Sequence, residues 1–167
     1  LSTGTTFIQK EDSSERGGLA YFPNANDDFD FEYFKGAVRE LRPKVVYYMY
    51  SGLSERGDAN GGRDLADFMR FCRQQGAITL ADSHTLAGDP EQIVARGGQV
   101  EAYRLLEPLL PELDIFFTSS DEGRIIQNSL QGPQDFSCLD QDQAAESILG
   151  FLSSRFWAGS DRPRIFG

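Results

Sequence analysis

NGGRDLADFMRFCRQQGAITLADSH, residues 60–84, decides the fold. Leu65, Phe68, Met69 and Cys72 stand at i, i+3, i+4 and i+7, one apolar stripe on a helix predicted over 60–75. Gly76 ends that helix, because glycine takes the left-handed conformation a helix terminus needs. An apolar strand follows over 77–81. Before the helix lies KVVYYMY, 44–50, β-branched and aromatic and apolar throughout, as buried parallel strands are. Strand, helix, strand is a βαβ unit.

The alternation continues outward from this unit. A helix is predicted over 31–41, ending before Pro43. Further helices are expected over 98–110, 121–128 and 140–156, the last with Asp140 and Gln143 as a capping box. LDIFF, 113–117, reads as a third buried strand, and 164–167 as the start of another. At the front, runs 5–9 and 18–22 form a hairpin with a long polar turn. The order implies an α/β fold, a parallel sheet with helices on both faces and a small hairpin beside it.

Composition narrows the function classes. The chain has 167 residues, 40% of them hydrophobic and 25% charged, as one globular domain would. A net charge of −10 argues against a nucleic-acid partner, which needs a basic face. No apolar run approaches a membrane span, and no signal peptide is visible. Two distant cysteines, Cys72 and Cys138, are no disulfide framework and fit a reducing cytoplasm. Cys72 falls on the apolar stripe and is expected to be buried.

Ligands of open α/β sheets bind beyond the C-terminal strand ends. Here those ends are 51–52, 82–84 and 118–119. Asp82 and His84, the only histidine, fit either an acid–base pair or a strand-end cap with a local hydrogen bond. No nucleophile signature adjoins them, and no second histidine could complete a metal site. TSSDE, 118–122, fits either an anion site at a helix start, with acids able to hold Mg2+ through water, or ordinary N-capping. Arg56-Gly57-Asp58, Gly61-Gly62 and Ala87-Gly88-Asp89 lack the context of the motifs they mimic. Pro90 suits the first turn of a helix, with Asp89 before it as cap.

Together these pieces resemble the PfkB-type carbohydrate kinases of the ribokinase-like fold. TGTTFIQ and GGLAYFPNAND resemble that family's lid segment and its Asn-containing turn, with Asn24 and Asn26 at the turn. VVYYMYSG resembles its strand and Ser/Gly turn. GAITLADSH resembles G-x-x-(apolar)-D-P-N, with Asp82 matching and Ser83-His84 in place of Pro-Asn. LLPELDIFFTSSDEG resembles its N-x-x-E segment, with Asp114 and Glu122 matching and Ser119 in place of Asn. Leu86 stands where an arginine is often found.

The resemblance implies a three-layer αβα fold, with residues 1–30 as a β lid and 31–167 as part of the kinase core. It implies ATP and Mg2+ as cofactors and phosphorylation of a sugar or sugar-acid hydroxyl. Asn24, Asn26, Asp82 and His84 would border the acceptor as rim residues. Ser119 and Glu122 would face the phosphates, with Glu122 meeting Mg2+ through water. No catalytic base is expected in this chain. The family's G-x-G-D segment would lie downstream of Gly167, and its glycine-rich sugar-binding segment upstream of Leu1. The substitutions at 84, 86 and 119 keep a non-catalytic ribokinase-like module open as an alternative. A nucleoside acceptor stays open too. The lid hairpin, an edge ribbon, could pair with its twin in a homodimer.

Overall fold

The computed structural model describes residues 3–8, 19–22, 24–51, 54–83 and 90–167. The front hairpin forms: β1 (Thr5–Ile8) pairs antiparallel with β2 (Leu19–Phe22). Phe7 and Phe22 meet edge-to-face at 6.0 Å and remain exposed. A 3-10 turn over Asn24–Asp27 leads to α1 (Phe31–Leu41). Asp30 caps α1, accepting from Glu32 N at 2.8 Å.

β3 (Val45–Ser51) is followed by α2 (Arg63–Gln74) and β4 (Ile78–Ser83). α2 holds the whole apolar stripe but starts at Arg63, three residues after the expected start at 60. Asn60 and Gly61 adopt left-handed angles in a preceding 3-10 turn. At Gly62 a Cβ would sit 2.4 Å from Leu105 O, so only glycine lets the two backbones approach there. α3 (Pro90–Ala95) comes next. The helix expected over 98–110 is instead two 3-10 segments, Glu101–Leu106 and Leu110–Glu112. Pro108 is the cause: it lacks an N–H and its ring would clash with the carbonyl four residues back. β5 (Ile115–Phe117), α4 (Ser120–Gln131), α5 (Gln141–Arg155) and β6 (Ile165–Phe166) complete the order. The Asp140/Gln143 capping box is present at α5.

β3 to β6 form a four-stranded, all-parallel sheet in the order β3-β4-β5-β6. The order explains which side the helices take. Parallel crossovers share one hand, so strands added always in one direction place their helices on one face. Val46, Tyr48, Ala81, Phe116 and Phe166 point into the core with α2, α4 and α5, where Met69, Cys72, Ile125 and Leu152 are fully buried. The opposite row is open. Val45, Tyr47, Met49, Ile78, Phe117 and Ile165 are 40–52% exposed, against 0–1% for Thr79, Ala81 and Phe116. The expectation of helices on both faces is therefore met on one face only among the described residues. None of the described helices is long and apolar enough to cross a membrane.

Charge closes the N-terminal ends of the strands. Asp114, buried, accepts from Thr79 N at 3.0 Å and pairs with Arg162 at 3.0 Å and Arg164 at 3.5 Å. Glu112, also buried, takes Arg70 Nε at 2.9 Å. Arg73 Nη2 lies 2.8 Å from its other oxygen, near enough for an ion pair though off the line of a hydrogen bond. Trp157 Nε1 donates to Leu110 O at 2.9 Å, fixing the chain after α5 to the same end.

Candidate functional site at the C-terminal rim

Parallel register brings the strand ends to one rim. Ser51 pairs with Ser83, and Asp82 lies between Met49 and Phe117. Ser83 Oγ donates to Thr118 Oγ1 at 2.6 Å, joining the end of β4 to the turn after β5. Thr118 N donates to Gly167 O at 2.9 Å, which draws the end of β6 to the same place. The expectation of one rim holds for the described strand ends, Ser51, Ser83 and Thr118.

α4 begins on this rim. Ser119 caps it, its Oγ accepting from Glu122 N at 3.3 Å. Capping uses the hydroxyl and leaves Ser119 exposed. Glu122 is 3% exposed, and its Oε1 is shielded from water with no hydrogen-bond partner. A buried carboxylate oxygen without a donor costs stability unless a ligand supplies one. Asp82 is half-buried and belongs to the open-face row, so it approaches the rim from the other side of the sheet.

The hairpin's following turn is tied to this rim. Asp27 Oδ1 accepts from Ser54 Oγ and, at 3.2 Å, from Arg56 N. Arg56 Nε donates to Phe29 O at 2.8 Å. Segment 24–30 is thereby fastened to the loop after β3. Asn24 sits in that turn at φ 47°, a left-handed position asparagine tolerates, with Nδ2 toward Thr3 O and Phe22 O. Asn26 lies in the same turn. His84 lies outside the described residues. Asp27, Ser54 and Arg56 were not expected in the site. Their link spans 27 residues or more, and no local pattern announces it.

Among the described residues no group of three metal-ligating side chains is assembled. The surroundings fit Mg2+ in one way only. Mg2+ keeps most of its waters and takes one or two carboxylates together with phosphate oxygens. Glu122 offers one such carboxylate oxygen.

The chain matches no protein-family model, and no curated protein or solved structure matches it at a significant level.

Proposed function

We propose that residues 1–167 are part of an ATP-dependent carbohydrate kinase that phosphorylates a sugar or sugar-acid hydroxyl. The observation that carries this reading is Glu122, a buried carboxylate with an unpartnered oxygen in the first turn of the helix after β5. That is the place of the Glu in the N-x-x-E segment this stretch resembles. Phosphoryl transfer asks a protein mainly for positioning and charge stabilisation. Glu122 would hold Mg2+ through water, and Mg2+ would offset charge on the transferred phosphoryl group. Ser119 would face the phosphates with its backbone N–H, since its hydroxyl serves the cap. Asp82, His84, Asn24 and Asn26 would border the acceptor. The hairpin β1–β2 would be the lid, fastened through Asp27. The base would come from polypeptide beyond this chain.

Two further features fit this reading. The open apolar row from Val45 to Ile165 is where the second helix layer of a three-layer αβα domain would lie, because parallel sheets are covered on both faces. Exposed Phe7 and Phe22 would form a lid–lid contact in a homodimer. Light scattering on the F7S/F22S variant tests that contact, and an unchanged mass ends it.

The test of function is turnover by the longer protein containing these residues, with ATP, Mg2+ and a panel of sugars, sugar acids and nucleosides. Expected is ADP release dependent on one sugar-like acceptor, falling by about 10²–10³ in Glu122→Gln. A nucleoside as best acceptor would move the substrate class. A second reading has one observation behind it: Ser119 spends its hydroxyl on a cap where the family has an amide. On that reading the protein is a non-catalytic ribokinase-like binding module. Absence of both turnover and calorimetric ATP binding would select it.

A further inference from the structure

A groove of about 720 Å3 runs between the end of α3, the first turns of α4 and segment 133–139. Asp121 and Arg124 line it, and Glu122 does not. The guanidinium of Arg124 lies over the ring of Phe136, 5.8 Å from its centroid, and Phe136 is buried. Arg124 Nε is shielded from water and has no hydrogen-bond partner. Among the described residues no carboxylate lies within ion-pair distance of it. Asp121 stands three residues earlier on the helix, the spacing at which Lys35–Glu32, Arg70–Asp67 and Arg104–Glu101 all pair. Arg124 is turned from that local partner onto an aromatic floor, with a buried donor left over.

We infer that this groove binds a small zwitterion, an amino acid by chemical class, whose carboxylate meets Arg124 and whose ammonium group meets Asp121 and Asp135. Arginine's planar fork matches a carboxylate better than any other cation does. Two aspartates against one arginine give these three groups a net charge of −1. That repels dicarboxylates and phosphate dianions and favours a ligand with its own positive group. Asp135 is exposed and oriented: its Oδ1 accepts from Ser137 Oγ at 2.6 Å and Ser137 N at 2.9 Å. Those two bonds hold its carboxyl below the usual range, so it stays ionised in neutral solution. Val94, Pro133 and Leu139 supply an apolar wall for a side chain.

Glu122 does not line the groove and binding of an amino acid needs neither ATP nor Mg2+, so the test of this site does not depend on the kinase reading. Calorimetric titration of this chain with each standard amino acid should give at least one saturable binder at millimolar concentration or below. For leucine as the binder, 4-methylpentanoate, 3-methylbutylamine and inorganic phosphate should each bind more weakly by about tenfold or more. Arg124→Met should abolish binding and Asp121→Asn should weaken it, while Glu122→Gln should leave it unchanged. Thermal unfolding separates a structural role: Arg124→Met should melt at or above the parent temperature, because it removes a buried donor without a partner. The assignment is overturned if no amino acid binds, or if the amine-free carboxylate binds equally well. Unaltered affinity, or a clear fall in melting temperature, in Arg124→Met would overturn it too.

Discussion

The two rims of the sheet carry the same kinds of residue and treat them in opposite ways. At the N-terminal rim Asp114 and Glu112 are buried, and each is answered by arginines, with Thr79 N adding a hydrogen bond to Asp114. At the C-terminal rim Glu122 is as deeply buried and has an oxygen that nothing answers. Arg124, two residues on, has a buried nitrogen in the same condition. The fold brings arginines to both buried carboxylates at one end, although Glu112 Oε2 also lacks a hydrogen bond, and among the described residues it brings no cation within ion-pair distance of Glu122 at the other. Paired charge at one rim locks the strands. Charge left open at the other is held at a cost that a ligand can remove.

Removing Asp114 should have the largest effect. Burial pulls Arg164 down from the ordinary arginine value, and the charge of Asp114 is the main force opposing that pull. Asp114→Asn would leave Arg162 and Arg164 facing a neutral group. A loss of about 3–5 kcal/mol is expected, a fall in melting temperature on the order of 10 °C. A change below 1 °C would show that the rim is not held by this pairing.

Glu122→Gln should behave in the opposite sense. It replaces a buried carboxyl group whose Oε1 lacks a hydrogen-bond partner and should raise stability by about 1 kcal/mol in denaturant unfolding. If instead it destabilises the chain as Asp114→Asn does, Glu122 is part of the scaffold and the contrast between the rims fails.

The sequence showed some of this contrast and hid the rest. The α2 stripe, the buried Cys72 and the capping box at Asp140 were legible because each is a local pattern with a fixed period or spacing. Pro108 is legible too: the apolar spacing from Val100 to Leu110 looks helical until the missing N–H is counted. Which face of the sheet is covered was not legible. The β3 residues are apolar on both faces, so composition cannot say where helices lie, and strand order decides it. Glu122 was found through its place in a motif. Its open oxygen was not foreseeable, nor was the failure of Arg124 to pair with Asp121, because what packs around Glu122 and holds Arg124 over the ring of Phe136 comes from outside their own helix.

The two cysteines sharpen the contrast with the smallest effect. Cys72 is in the last turn of α2 near the sealed rim, fully buried, and its carbonyl accepts from Gln75 N and Ala77 N at 3.1 Å. Burial pushes its thiol up to about 11. In the unfolded chain the thiol ionises near the ordinary value of about 8.5. A group whose folded value is raised gives stability that is whole below the unfolded value and is lost as pH rises toward the folded one. Stability should therefore be flat in this group up to about pH 8.5 and decline above it. Cys72→Val should remove that part of the decline. Cys138 is exposed beside the groove segment and should react with a thiol reagent at once, while Cys72 reacts only as fast as the chain opens. Equal reaction rates at the two positions would mean that water reaches the N-terminal end of the core as freely as it reaches the loops. The sealed rim would then not be sealed.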